Sequence, residues 1–184
     1  MNIFTKILPF AVLSCFSSMS FADAAFNQNL EKIIECKSTL SGYNDLGWEF
    51  EADLKKNGWK KIGKETDYTY QSAQPIQVYG MQANQINLVV GGILAVVNNQ
   101  DTAKLAQQYQ IKQHPLFEGM PYFSGEKIVK TDPETDTAEK SFRKMTLAEP
   151  SPELQTGAKK TFIGCVYISE DEHNQQEEAI KEMM

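Results

Sequence analysis

The run KKTFIGCVYIS, residues 159–169, constrains the fold more than any other stretch of this chain. In an extended strand, side chains alternate between two faces. Phe162, Val166 and Ile168 then point one way, with Gly164 between them, and Ile163, Cys165 and Tyr167 point the other way. A strand that is apolar on both faces is central, or is covered by a layer on each side. The chain must therefore build a sheet around its own last third.

Cys165 lies in the middle of that strand, and Cys36 lies on a helical segment far upstream. The pair reads as a disulfide if the protein is exported. The N-terminus supports export. Lys6 gives a positive start, residues 7–16 are apolar, and Ala22 and Ala24 stand at the spacing that signal peptidase requires. Cleavage after Ala24 is preferred, with Ala22 the alternative. A rival reading makes Cys15 the lipid-modified cysteine of a lipoprotein. Leu13 is bulky where such signals take a small residue, so a periplasmic or secreted protein is preferred. The expected organisation is a signal peptide over 1–24, a single domain over 25–168 and an acidic tail over 169–184. Residues 86–97 form the longest later apolar run, too short to span a bilayer as a helix and broken by Gly91 and Gly92.

The formal net charge is −6, and the tail carries most of it: Glu170, Asp171, Glu172, Glu177, Glu178 and Glu182 against Lys181. The remainder is nearly neutral. A nucleic-acid partner needs a basic face, so none is expected.

Phe26, Leu30, Ile33 and Ile34 repeat at helical spacing and predict a first helix. Tyr43, Leu46, Phe50 and Leu54 predict a second, capped by Asn44 or Asp45 and ended by Asn57 and Gly58. Trp48 falls off its apolar stripe. Beyond Lys60 the period changes. Residues 60–72 predict one short strand, and residues 75–81, 85–90 and 93–97 predict an antiparallel meander, turned at QAN and at Gly91-Gly92. Asp101 opens a third helix with Leu105, Ala106 and Tyr109 inward. Residues 126–131 and 140–148 predict further strands. The expected fold is α+β: an antiparallel sheet of about five to six strands, with two N-terminal helices and one mid-chain helix on one face, and a single disulfide.

Catalytic patterns are sparse. The two histidines, His114 and His173, lie far apart in the chain, and the sequence holds neither GxSxG nor HExxH nor a P-loop. Asp132, Glu134 and Asp136 are spaced like the first ligands of a calcium loop. Thr137 stands where such a loop needs glycine and Arg143 where it needs glutamate, so a hairpin turn is the better account. Neither cofactor nor metal is expected.

The segment HPLFEGMPYF, residues 114–123, crowds large apolar side chains between two prolines. Its two readings are a lid over an open end of the sheet and a rigid anchor patch for a partner. Interfaces favour Tyr, Phe and Met at their centres. The candidate partner-binding residues are His114, Leu116, Phe117, Met120, Tyr122 and Phe123, with Tyr68 and Tyr70 as an extension. The expected function is a non-catalytic exported protein that binds another protein, of inhibitor, immunity or secretion-accessory type. A small-ligand or lipid carrier is the first alternative. A hydrolase built from dispersed carboxylates is the second.

Overall fold

The computed structural model describes residues 21–64, 67–133, 140–154 and 157–183. Cys15 and the apolar run 7–16 lie outside them, as do Glu134, Asp136 and Thr137 of the rejected calcium pattern.

Among the described residues, eight strands form one sheet in the order β1-β2-β3-β4-β8-β7-β6-β5, with antiparallel neighbours throughout. They are β1 (Trp59–Lys61), β2 (Thr69–Val78), β3 (Met81–Val89), β4 (Gly92–Asn98), β5 (Lys112–Gln113), β6 (Ser124–Pro133), β7 (Lys140–Ala148) and β8 (Lys160–Ser169). The count exceeds the expected five to six in part because β5 is a two-residue strand whose sequence carries no periodic signal. As the alternation predicts, β8 is central, paired with β4 on one side and β7 on the other.

Among the described residues, five α-helices accompany the sheet: α1 (Phe21–Ile34), α2 (Leu40–Asn44), α3 (Phe50–Lys56), α4 (Thr102–Tyr109) and α5 (Glu170–Met183). The predicted second helix is two helices. Gly47 adopts φ +59°, which breaks the helix, and Thr39 rather than Asn44 or Asp45 caps α2. Asn57 and Gly58 end α3 as expected, and Asp101 caps α4. The predicted cleavage positions Ala22 and Ala24 fall in the first turn of α1.

The meander β2-β3-β4 is present, but its first turn is Tyr79-Gly80 rather than QAN. Both residues have positive φ, the geometry of a tight hairpin turn. Tyrosine is unusual in that conformation. It is held there because the Tyr79 hydroxyl donates to the Ile34 carbonyl at 2.9 Å and its ring meets Tyr109 edge-on. Burial beside the Glu35 carboxylate pushes the Tyr79 hydroxyl far above its ordinary pKa, so it stays a donor.

The main core lies between the sheet and α1. Leu30, Ile33 and Ile34 of α1 pack on Ile93, Ala95, Val97, Ile163, Cys165 and Tyr167, with Trp59, Leu54 and Ile86 beside them. The disulfide Cys36–Cys165 ties the end of this helix to the central strand. The Tyr167 hydroxyl donates to the Ile33 carbonyl at 2.7 Å, and burial pushes its pKa up to about 12.

The acidic tail, a short helix or disordered by the sequence alone, forms the helix α5. It lies on the face of the sheet opposite α1, where the expected fold has no helix. Lys144 of β7 reaches Gln176 on this face, while its neighbour Arg143 reaches the Cys36 carbonyl on the other. Helices therefore cover both faces rather than one.

Candidate functional site

The 114–123 segment is tied down along its length. His114 N–H donates to the Ser124 carbonyl at 2.8 Å. Pro115–Phe117 form one 3-10 turn, capped by His114 Nδ1 accepting from Leu116 N–H at 3.3 Å. The Gln113 amide donates to the Phe117 carbonyl. At the far end, Phe123 N–H donates to Glu149 Oε2 at 3.1 Å, and Glu149 N–H returns to the Phe123 carbonyl at 2.8 Å. The Glu149 carboxyl is lowered despite the burial that opposes this, because Lys159 and the Phe123 N–H bind its charged form.

Within this frame the rings pack on one another. Phe117 meets His114 and Tyr122 edge-on, both at 5.9 Å between centroids. Leu116, Phe117, Tyr122 and Phe123 are half-buried, and Phe123 packs against the main core. Met120 alone among these large apolar residues is exposed. The segment thus packs on itself and on the core, with Met120 outward.

Its inner side is one wall of a groove of about 370 Å³. His114, Leu116 and Phe117 form that wall. Ser124, Gly125 and Glu126 of β6 with Thr146 of β7 form the floor, and Gln176, Ala179, Ile180 and Met183 of α5 form the roof. Gly125 is required at the edge of the floor: a Cβ there would sit 2.2 Å from the Lys112 carbonyl oxygen, the strand that carries the loop. Beside the floor, the buried Lys144 ammonium donates to Glu126 at 2.7 Å and to Gln176 at 3.1 Å.

The roof is set by the start of α5. Ser169 Oγ accepts from Glu172 N–H at 3.2 Å, and Glu172 Oε2 accepts from Ser169 N–H at 2.8 Å. This is a capping box, legible in the sequence as S-x-x-E. Glu170 accepts from Lys140 N–H at 3.2 Å, and His173 packs its ring on Phe142 at 4.5 Å. Polar His173 and Gln176 meet the sheet first, and the apolar Ala179, Ile180 and Met183 come only in the last turns of α5, so hydrophobic periodicity does not reveal the packing.

The proposed extension of the site divides. Tyr68 is partly exposed, under the Lys61 ammonium. Tyr70 is 3% exposed, and its hydroxyl donates to Glu51. Both belong to the β2 end of the chain's sheet order, with β3, β4, β8 and β7 between β2 and β6. Tyr70 is a core residue, and neither tyrosine joins the 114–123 segment.

Among the described residues, no cluster of three His, Cys, Asp or Glu is arranged to hold a metal ion, and no helix is long and apolar enough to cross a membrane. No family model, curated protein or solved structure matches this chain.

Proposed function

We propose that this chain is an exported, non-catalytic binding protein, and that the groove between residues 114–117 and α5 takes one small amphipathic molecule. The observation that supports this reading is the composition of the groove. Leu116, Phe117, Ala179, Ile180 and Met183 supply apolar walls, while His114, Glu126 and Gln176 supply hydrogen-bonding groups. Small-molecule sites are concave, of about 300–1,000 Å³, and mainly apolar with a few polar groups that fix orientation. An acyl or aromatic body would lie against Phe117 and Ile180, and a polar head would meet Glu126 and Gln176.

The test is binding of the fluorescent apolar probe N-phenyl-1-naphthylamine to the oxidised protein, together with mass spectrometry of an organic extract. The parent is expected to bind the probe. Ile180→Arg and Ala179→Arg, which put charge and volume into the groove, are expected to weaken binding by about tenfold or more. Ile180 is half-buried and Ala179 exposed, so both variants should keep the parent's melting temperature. Absence of probe binding with an empty extract would reject the reading.

A protein partner, of inhibitor, immunity or secretion-accessory type, is the second reading. A separate observation favours it: Trp48 and Val90 are almost wholly exposed. Tryptophan is among the residues most enriched at the energetic centres of protein interfaces.

A further inference from the structure

The polar side of the groove is built around one buried cation. The Lys144 side chain is 3% exposed, and its ammonium donates to Glu126 Oε1 at 2.7 Å and to Gln176 Oε1 at 3.1 Å. Those two bonds decide what Glu126 and Gln176 still offer to the groove that both line. Gln176 has its carbonyl oxygen engaged, which leaves its NH2 group to donate. Glu126 has Oε1 engaged, and among the described residues nothing donates to its Oε2. A donor and an acceptor therefore stand side by side, because one ammonium holds both side chains. His114 adds a second donor: its Nδ1 accepts from Leu116 N–H, so the ring proton sits on Nε2.

Charge within the groove is balanced. Glu126 is the one carboxylate among its lining residues, and Lys144 beside the floor cancels it. The other charges near it are exposed at the rim. Lys112 stands across the β5–β6 pair from Glu126, Glu118 follows the 3-10 turn, and Glu177, Glu178, Lys181 and Glu182 lie on α5. Acids outnumber lysines there, and solvent and salt screen them all. A carboxylate head would meet Glu126 Oε2, and the cation that could compensate it is already neutralised. An ammonium head would find Oε2, but beside the Lys144 ammonium and facing the Gln176 and His114 donors. A head that only accepts would leave Oε2 covered and without a donor, which costs binding.

We propose, building on the groove as a small-molecule site, that its ligand carries an uncharged head that accepts one hydrogen bond and donates another, a carboxamide or a hydroxyl, on an apolar chain of medium length. The oxygen of the head takes the Gln176 N–H, and its own N–H or O–H goes to Glu126 Oε2. The chain lies along Phe117 and Ile180, which supply the apolar walls. Volume sets its length. At the roughly 30 Å³ that a water molecule occupies in the liquid, about 370 Å³ holds about a dozen heavy atoms, one head with a chain of about eight to ten carbons. Glu126 is then the residue that sets specificity, because a site that hydrogen-bonds a polar group rejects analogues that cannot return the bond.

Displacement of N-phenyl-1-naphthylamine from the oxidised protein at neutral pH tests it, with decanamide, 1-decanol, decanoate, decylamine and methyl decanoate as competitors. Decanamide and 1-decanol are expected to displace the probe at concentrations about tenfold or more below those of the other three. Methyl decanoate is at least as apolar as the first two, so its weaker displacement separates hydrogen bonding from partition. Glu126→Gln keeps an oxygen for Lys144 but removes its counter-charge, so decanoate is expected to gain about tenfold on this variant. Probe binding equal to that of the parent checks the variant's fold. A parent that binds the probe but prefers decanoate, decylamine or methyl decanoate, or does not distinguish the five, overturns the head assignment and leaves the groove standing as a small-molecule site. So does a Glu126→Gln variant that binds the probe normally and shows no gain for decanoate. A parent that binds neither the probe nor any of the five overturns both.

Discussion

Arg143 and Lys144 are neighbours on β7, yet they carry their charges to opposite faces of the sheet, and each finds a carboxylate on β6. Arg143 Nη2 meets Asp132 Oδ1 at 2.7 Å, and Lys144 Nζ meets Glu126 Oε1 at 2.7 Å. Each cation then reaches a different helical layer. Arg143 Nη1 donates to the Cys36 carbonyl at 2.9 Å, next to the disulfide, and Lys144 Nζ donates to Gln176 of α5 at 3.1 Å. Two adjacent residues thus fix both covers of the sheet. A strand makes this possible, because consecutive side chains alternate in direction.

The Arg143 side of this arrangement makes stability depend on pH. Hydrogen bonding from Arg143 holds the Asp132 carboxyl below its ordinary pKa, against the opposing effect of burial. A carboxyl depressed in the folded state contributes stability that is complete above its unfolded value of about 4 and is lost as the pH falls through the folded value. Arg143→Met removes the larger cause, leaves Asp132 with Lys130 alone and takes away the guanidinium donor of the Cys36 carbonyl. The expected loss at pH 7 is about 3–5 kcal/mol, the range for breaking a buried pair. Urea unfolding of parent and variant at pH 7 and pH 3 measures both effects. The gap between them should narrow at pH 3; a gap that is equal at both pH values would mean that Asp132 is not the group responsible.

The Cys36–Cys165 bond closes a loop that takes in most of the core, with a sequence separation of 129. A cross-link of that span stabilises chiefly by limiting the unfolded chain, by about 4–5 kcal/mol in the entropy model. The packing around it is extensive: Leu30, Ile33 and Ile34 are buried against the sheet, and Tyr167 bonds the Ile33 carbonyl. Replacing both cysteines by alanine is therefore expected to give a folded protein whose guanidinium midpoint drops by the equivalent of about 4 kcal/mol. An unchanged midpoint would show that the bond adds nothing beyond two small apolar side chains.

What the sequence reveals follows from where burial is strong. The β8 alternation, the α1 stripe and the Asp101 cap each match a structural element, because apolar side chains at a regular period have only one way to be buried. The split of the second predicted helix at Gly47 and the turn on Tyr79 are different. Both rest on positive φ values at residues whose local sequence does not announce them, one inside a helical period and one at a tyrosine. The 114–123 segment was legible as apolar and rigid, but its depth was not. Whether Phe117 faces solvent or a groove depends on α5, which comes from a part of the sequence with hardly any apolar signal. Grouping Tyr70 with that segment required knowing strand order, which periodicity does not carry.

Gly164 interrupts an apolar face of β8 at the point where the strand lies between β4 and β7. A Cβ at this position would sit 2.2 Å from the Ile93 carbonyl oxygen and 2.7 Å from Leu94 Cα. These are backbone atoms of a paired strand, so no rotamer change relieves the clash. Gly164→Ala is expected to destabilise by about 3 kcal/mol or more, beyond the usual range for a surface change. Gly157→Ala serves as the comparison: no atom lies within 4 Å of its Cβ position, so its cost comes from backbone strain at φ +77° alone. Thermal melts of the two variants should differ, with Gly164→Ala the lower; equal melts would mean that the strands separate locally at little cost.

The helix α5 should be the least stable element of the fold. None of its described residues is buried. At its contact with the sheet, His173 Nδ1 of α5 and Thr146 Oγ1 of β7 are enclosed without hydrogen-bond partners, which offsets part of what its contacts contribute. Its order therefore rests on the Ser169–Glu172 capping box, on Glu170 at Lys140 and on Gln176 at Lys144. Ser169→Ala removes the cap, a loss of about 1 kcal/mol. Because α5 is attached at one end and contacts only β7 and β8 appreciably, the loss should stay local. Hydrogen exchange read by mass spectrometry is expected to show faster exchange over residues 170–183 in Ser169→Ala, with β4 and β8 unchanged. Faster exchange in the central strands as well would mean that α5 unfolds together with the sheet, so that the groove's roof is part of the cooperative core.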